Sequence, residues 1–563
     1  MNYSHIRSAR LSAFILLWLP FSALAQVSQR DTTLYFDHFA YTLDAYYSTT
    51  NVDASTIETD TFQGIVLENK WLTVTLVPEF GGRIVSMVYR PTGQEQLYTN
   101  PVGVPYLMGQ GVFYHDWLMV YAGIFPTFPE PEHGKYWNVP WDYEIQPDGS
   151  SSITVSMWKQ DTLHNPRRPG QYNNGVTGIT CYFEVRLSEN KPSVDIDVRL
   201  ANDGTADNYE YWTCITFAPG SEPGNTATPS ASEMVVPIAD YQVGWNAGDW
   251  MYGIDEIVRN SGPRIQRYEN LAHLSNWEEQ GIAYAYPEMA EPYYGVINHE
   301  NEAGLFRISS DQAQTPGLKF WTWGDDQGLN ADPMDFNTWA RPYIELWSGT
   351  SQEFFEDAYL AANAEVSWTE SYMPTLGMPG IDYIAEGLAF YHQYEEDGVL
   401  ALYGFAPAKA DAWEATVTLT KDEVAVWSGN HPFTANAVNS DQFRFDLVDA
   451  SIAPGTYQVE IVLSDDEGIF HTVNSELTLD DVLGLGDPEV MELTVIQTST
   501  DQLTLAFADA LPKTIRLLNP TGAQVRQTQS YQQRVTLSGI TAGLYIVQVQ
   551  GEGGYAVQKV MVR

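Results

Sequence analysis

The sequence predicts an all-β chain of several domains, on three observations. Apolar and polar residues alternate with period two over many short stretches, Gly, Pro and Asn clusters separate those stretches, and 563 residues exceed one ordinary domain. In chain order, 65–67 leads through Asn69 and Lys70 into 71–77, where Leu72, Val74 and Leu76 alternate with Thr73 and Thr75, as a half-buried strand does. Gly81 and Gly82 turn the chain into a strand over 84–89. Further strands are expected at 153–157, 178–187, 193–200 and 211–217. The pair 293–297 and 304–308 flanks a polar turn over 299–303, and 319–323 and 343–347 close the series. Residues 223–291 carry scattered Gly and Pro without alternation and read as a long excursion from the scaffold. The rings of Trp245, Trp250, Tyr252 and Trp277 argue against disorder there.

Composition marks the boundaries. Fourteen of the 17 tryptophans fall between Gln26 and Thr375 and two beyond it, and the drop coincides with a Pro/Gly stretch over 374–380. The main domain is therefore expected over 26–375. Residues 381–480 follow as about a hundred residues of short strands, expected at 415–420, 423–427, 442–447 and 455–463, the signature of an immunoglobulin-like sandwich. Acidity stops near Asp487: 26–487 holds 20 Lys/Arg against 67 Asp/Glu, while 488–563 holds six against five. At the other end, Arg7 and Arg10 precede the apolar run 11–19, and Ala23-Leu24-Ala25 offers a cleavage site, so 1–25 reads as a signal peptide.

The formal charge of −44 excludes nucleic acid and anionic membranes as partners in general, because such a field repels both. No later apolar run approaches the ~20 residues that cross a bilayer, so no membrane span is expected and the product is secreted or surface-attached. Cys181 and Cys214 lie in two apolar stretches and either pair in an oxidising compartment or remain buried thiols. The last segment has short strands at 503–507, 514–518, 535–537, 543–549 and 556–562, with Asn519-Pro520-Thr521-Gly522 as punctuation. The run from Ile515 to Val525, then Gly543-Leu-Tyr-Ile-Val-Gln-Val549 and the terminal Lys559-Val-Met-Val-Arg563, resembles the C-terminal sorting domain of the type IX secretion system of Bacteroidetes. That resemblance implies the type IX machinery as a partner and assigns 488–563 to the tail.

The chemistry-bearing stretch is 123–141, GIFPTFPEPEHGKYWNVPW, with a histidine, a lysine, two carboxylates, four prolines and five large rings. Proline removes donors and fixes φ, so an ordered loop is expected rather than a helix or a central strand. Aromatic faces stack on the apolar faces of sugar rings while His133, Lys135, Asn138, Glu130 and Glu132 are suited to bond hydroxyls. This loop, together with LENKWLTVTLVPEFGGRI from Leu67, YWTCITFAP from Tyr211, KFWTWG from Lys319 and YIELWSG from Tyr343, resembles the galactose mutarotase-like superfamily and an uncharacterised secreted family within it. The resemblance implies a two-sheet β-supersandwich that takes a sugar on one concave face, and within it Glu345 matches the catalytic base. His133 with Gly134 and Trp141 is similar to the superfamily's loop for sugar hydroxyls. The second histidine, the usual proton donor, has Tyr211-Trp212-Thr213 in its place.

From the residues themselves, Glu345 alternates with Ile344 and Leu346 and shares a strand face with Tyr343 and Trp347, where desolvation favours a useful pKa. The catalytic candidates are Glu345, His133, His115 (between rings in FYHDW) and Tyr211. Tyr136 is an alternative phenol. Substrate-binding candidates are Arg83, Trp137, Asn138, Trp141, Trp212, Trp321 and Trp323. No metal motif is present. The oxygen-rich loop over 325–332 suggests Ca2+ but lacks EF-hand spacing. The expected function is a secreted carbohydrate-active enzyme that cleaves or modifies a polysaccharide or oligosaccharide as a lyase or glycoside hydrolase. The alternatives are a non-catalytic surface glycan-binding protein and an aldose 1-epimerase-like mutarotase.

Overall fold

The computed structural model describes residues 27–45, 49–105, 118–119, 123–129, 133–149, 151–164, 176–205, 207–246, 264–278, 280–286, 289, 291–322, 324, 344–395, 398–408, 412–447, 452–479, 493–499, 502–507, 513–519, 524–530, 532–551 and 554–562. The expected signal peptide, His115, Trp323 and the 325–332 loop lie outside them.

Two antiparallel sheets make the first part of the chain. Among the described residues the larger has twelve strands, in the order Ser28–Leu43, Thr49–Glu68, Leu72–Val77, Arg83–Tyr89, Gln94–Leu97, Trp212–Ser221, Ile344–Gly349, Gly317–Thr322, Gly281–Tyr286, Asp240–Asn246 and Arg264–Arg267, with Ile124–Thr127 alongside Trp212–Ser221. The second runs Ser232–Val235, Tyr293–Asn298, Ala303–Ser309, Ala364–Leu376, Val194–Asn202, Thr180–Ser188, Ser152–Gln160 and Asp142–Asp148. The strands expected from alternation are present. Residues 223–291 differ from the expectation: they supply Ser232–Val235 to one sheet and Asp240–Asn246, Arg264–Arg267 and Gly281–Tyr286 to the other. Those strands are scaffold, and mixed burial along them hid their period. The N-terminal hairpin, whose strands pair from Ser28↔Glu68 to Leu43↔Thr49, also exceeds the strand read at 65–67.

The apolar faces of the two sheets meet in one core that includes Leu72, Val74, Leu76, Ile196, Val198, Leu305, Ile344 and Leu346. Each such side chain contributes about 1.5–3 kcal/mol by leaving water. One buried polar network crosses that core. Arg307 and Glu370, both from the smaller sheet and both with fully buried side chains, pair at 3.0 Å. Glu370 also accepts from Trp368 Nε1 at 2.9 Å and Tyr372 OH at 2.6 Å on its own sheet, and from Thr213 and Ser348 Oγ, both at 3.3 Å, on the other. Burial pulls the Arg307 guanidinium down, but Glu370, Tyr294 and Tyr372 together raise its pKa above the ordinary value.

Two four-stranded sheets follow. Tyr383–Ala385, Leu388–Glu395, Val399–Phe405 and Asp441–Asp446 form one; Val424–Phe433, Trp413–Lys421, Gly455–Asp465 and Gly468–Leu479 form the other. Leu402, Val417, Ile461 and their neighbours fill the space between. Ile381, Ile384, Ala401 and Phe405 belong to the larger core, so this sandwich is packed onto the first rather than tethered to it. A cavity of about 400 Å3 opens at their junction, between Lys191 and Pro192 on one side and Tyr383, Leu388 and Phe470 on the other. The final segment has a three-stranded and a four-stranded sheet around Leu505, Leu517 and Val547.

Removing one partner of the Arg307–Glu370 pair strands the other charge in the core, which typically costs ~3–5 kcal/mol. Glu370→Ala is expected to lower the stability of the first module by that amount in urea unfolding followed by tryptophan fluorescence. A loss below about 1 kcal/mol contradicts the role given to the pair.

Candidate functional site

Register decides which residues reach the outer face of the larger sheet, the face turned away from the inter-sheet core. On Ile344–Gly349, Ile344 and Leu346 point into the core, so Glu345 and Trp347 point outward. Directly opposed residues of antiparallel strands share a face, and two rows follow from the pairing. Phe125, Cys214, Trp347, Lys319 and Tyr284 stand in one row across five strands. Thr216, Glu345, Trp321 and Ile282 stand in the next. Phe125, Trp212, Cys214, Tyr284, Trp347 and Phe354 pack together there as a small apolar cluster separate from the main core.

Glu345 and His133 come together on this face through one indole. Trp347 Nε1 donates to Glu345 Oε2 at 2.8 Å. The His133 ring stands edge-on to the Trp347 ring, centroids 5.4 Å apart, and 6.3 Å from that of Trp137. Glu345 and His133 are 6% and 8% exposed, so neither is a solvated surface group. Gly134 makes the histidine's position possible: its φ is +71° and a Cβ there would lie 2.4 Å from the Phe128 backbone nitrogen. Beneath the site, a Cβ on Gly349 would lie 2.3 Å from the Trp212 ring, so glycine lets that indole lie flat against the strand.

Lys319 is one cation of the face, with Nζ 4.1 Å from the Trp347 ring centre and 4.5 Å from that of Phe354. Arg83 is 1% exposed and lies 4.5 Å over both Phe80 and Phe125. Its Nε donates to the Phe80 carbonyl at 2.7 Å and Nη2 to the Trp137 carbonyl, and burial pushes its pKa down to about 9. These carbonyl bonds anchor the loop that carries His133. Burial pushes the Cys214 thiol well up, Glu345 adds to that, and Lys319 and Arg83 oppose it. The rings continue outward from Trp137 through Phe80 and Phe62 to Phe36 on the N-terminal hairpin, with centroid separations of 5.8, 5.2 and 5.7 Å.

The remaining candidates divide by face. Trp137 is 5% exposed, and Asn138 and Trp321 are half-buried at the site. Trp212 is on the outer face but fully covered, 4.9 Å from Phe354, so it is floor rather than contact surface. Tyr211 lies on the opposite side: fully buried, its hydroxyl 3.0 Å from Thr213 and its ring against Trp368, inside the inter-sheet core. Burial, with Cys181 and Glu370 nearby, pushes its pKa well up, and a phenol so placed does not meet a ligand on the outer face. Trp141 is likewise a core residue, 4% exposed, its Nε1 on the Tyr136 carbonyl at 3.0 Å. Tyr136 donates to Asp161 at 2.8 Å, and Lys135 pairs with the same carboxylate at 2.5 Å, both side chains of that pair fully buried. Burial and Asp161 push the Tyr136 pKa far up. Both residues fasten the loop. His299, in the polar turn over 299–303, lies 2.7 Å from Glu233 Oε2. Cys181 and Cys214 are both free, one in the inter-sheet core and one on the outer face. Sequence reading missed Lys319 and Phe354 as site residues. For Lys319 the two-residue offset from Trp321 on one strand was available as a signal; for Phe354 there was none.

Among the described residues, no helix is long and apolar enough to cross a membrane. Residues 40–171, which include Arg83, His133 and Trp137, match the family described as "Domain of unknown function (DUF5107)", and residues 499–563 match "Secretion system C-terminal sorting domain". Among solved structures, the chain is similar to a TPR-domain containing protein from Parabacteroides distasonis, with 16% identity, 64% of this chain and 59% of that chain covered, and a TM-score of 0.48. It thus spans about three-fifths of that protein's length. A galactose mutarotase-like protein from Clostridium acetobutylicum matches at 11% identity over 58% of this chain and 97% of that chain, with a TM-score of 0.39. A 4-alpha-glucanotransferase from Thermococcus litoralis matches at 11% identity over 55% and 37%, with a TM-score of 0.29. Residues 40–171 are thus similar to a family of unknown function, and residues 499–563 are a sorting domain that directs type IX secretion to the cell surface or the extracellular space.

Proposed function

We propose that the outer face around Trp347 is a saccharide site and that the exported protein cleaves a glycan there by proton transfer, with Glu345 as base and His133 as acid. The observation that carries this reading is the single indole standing between that carboxylate and that imidazole. Hydrolysis by the usual route needs two carboxylates flanking the bond. On the outer face Glu345 is accompanied by the imidazole of His133 and the cations Lys319 and Arg83. This set favours β-elimination from a uronate-containing chain. Glu345 takes the proton from the carbon beside the uronate carboxylate, whose charge the two cations neutralise. The electron pair forms the C=C bond as the C–O bond breaks, and His133 protonates the departing oxygen. Trp321, Trp137 and Asn138 supply stacking and a hydroxyl partner. A non-catalytic glycan-binding role is the second reading, favoured by the half-buried rings of Phe62 and Phe36, which extend outward from Phe80 and suit a bound chain without any chemistry.

Incubation with algal and plant polysaccharides is expected to yield unsaturated uronate absorbance, and Glu345→Gln and His133→Ala are each expected to lower the rate ~10²–10⁴-fold while folding is kept. Wild-type rates in both variants overturn the assignment; gel retardation without any product selects the binding role. A chain ending at Asp487 is expected to fold and to remain inside the outer membrane, as read by cell fractionation, and its appearance in the medium would contradict the export role of the tail.

A further inference from the structure

The second sandwich holds a set of side chains that the outer-face site does not use. Asp382 precedes the strand Tyr383–Ala385, His392 and Tyr394 lie two apart on Leu388–Glu395, and Ser475 faces them from Gly468–Leu479 in the other sheet. Asp382 Oδ2 accepts the backbone N–H of His392 at 2.6 Å and lies 2.6 Å from its Nδ1. An ionised carboxylate only accepts, so Nδ1 carries a proton, and in the neutral imidazole Nε2 then holds a lone pair. Nε2 is 3.0 Å from Ser475 Oγ, so the serine donates to it. With that hydrogen committed, Oγ accepts from Tyr394 OH at 2.9 Å. The result is one directed relay, Tyr394 to Ser475 to His392 to Asp382, in which every proton position follows from the carboxylate at its end.

We propose that Ser475, His392 and Asp382 form an ester-hydrolysing site, with Ser475 as nucleophile, His392 as base, Asp382 as its positioning residue and Tyr394 as the oxyanion donor. Its substrate class is a small acyl ester of an alcohol, such as an acetylated sugar hydroxyl. The spacing is that of a nucleophile on its base and a base on its orienting group. The site is reachable: Ser475 and Tyr394 are half-buried, and the side chains of His392 and Asp382 are 9% and 21% exposed. The acyl group must be small because Oγ lies between the imidazole and phenol rings, which stand perpendicular with centroids 5.5 Å apart. Burial raises the Tyr394 pKa, Ser475 lowers it and Asp382 raises it, the net direction being upward, so it keeps the proton it offers.

Ser475 Oγ attacks the ester carbonyl carbon and its proton passes to His392 Nε2. Tyr394 OH donates to the oxyanion formed. On collapse the C–O bond to the alcohol breaks and the imidazolium returns the proton to the leaving oxygen. Water then repeats the sequence on the acyl-serine, releasing the carboxylic acid and restoring the hydroxyl.

The full-length protein is treated with a fluorophosphonate probe, the adduct is located by peptide mass spectrometry, and hydrolysis of p-nitrophenyl acetate is measured. An adduct on Ser475 is expected, with ester turnover ~10²–10⁴-fold lower in Ser475→Ala and kcat reduced at unchanged KM in Asp382→Asn. Absence of an adduct on Ser475 overturns the proposal, as does wild-type ester turnover by a folded Ser475→Ala protein. Where that variant does not fold, the labelling of the wild-type chain decides alone.

Discussion

The contact on which the rest depends is the one that Glu370 makes across the core. A carboxylate buried between two sheets is tolerable only when its oxygens are satisfied, and Arg307, Trp368 and Tyr372 do this from one side while Thr213 and Ser348 do it from the other. Strands have a side-chain period of two, so the inward position of Thr213 and Ser348 sends Cys214 and Trp347 outward. The polar network inside the core thereby selects the residues displayed on the outer face. A one-residue slip of Ile344–Gly349 would turn Glu345 into the inter-sheet core and Leu346 onto the outer face.

The outer face is a second, smaller exercise in the same physics. Its cations are buried among rings, with Lys319 over Trp347 and Phe354 and Arg83 over Phe80 and Phe125. In a chain of net charge −44 these are exceptional surroundings, since most carboxylates stay in water while positive charge is held where it is poorly screened. The loop that brings His133 to this place is fastened at three points: Arg83 on the Trp137 carbonyl, Lys135 and Tyr136 on Asp161, and the Trp141 indole on the Tyr136 carbonyl. Lys135, Tyr136 and Trp141, which look available to a ligand in the sequence, are in fact part of the fastening.

Much of the fold was legible in the sequence, and for a definite reason. Stretches such as Leu72–Val77, where the period of two is clean, declare themselves, and so do the breaks in tryptophan content and acidity. The N-terminal hairpin did not, because Thr, Asp and Glu alternate with its rings and both sides keep solvent contact. The strands within 232–286 did not, because each is short and interrupted. At the site, Glu345 and the His133 loop were legible as motifs, whereas the sorting of Tyr211 and Trp141 into the core required the pairing register, which a sequence does not display. Phe354 comes from an acidic loop whose role follows only from where it lands.

The two thiols occupy opposite sides of the larger sheet, Cys181 beneath it and Cys214 above. A ribbon of backbone separates them, and no side-chain rotation lets sulfur meet sulfur. The chain therefore owes none of its cohesion to a bridge between its two sulfurs, and a reductant finds no such link to break.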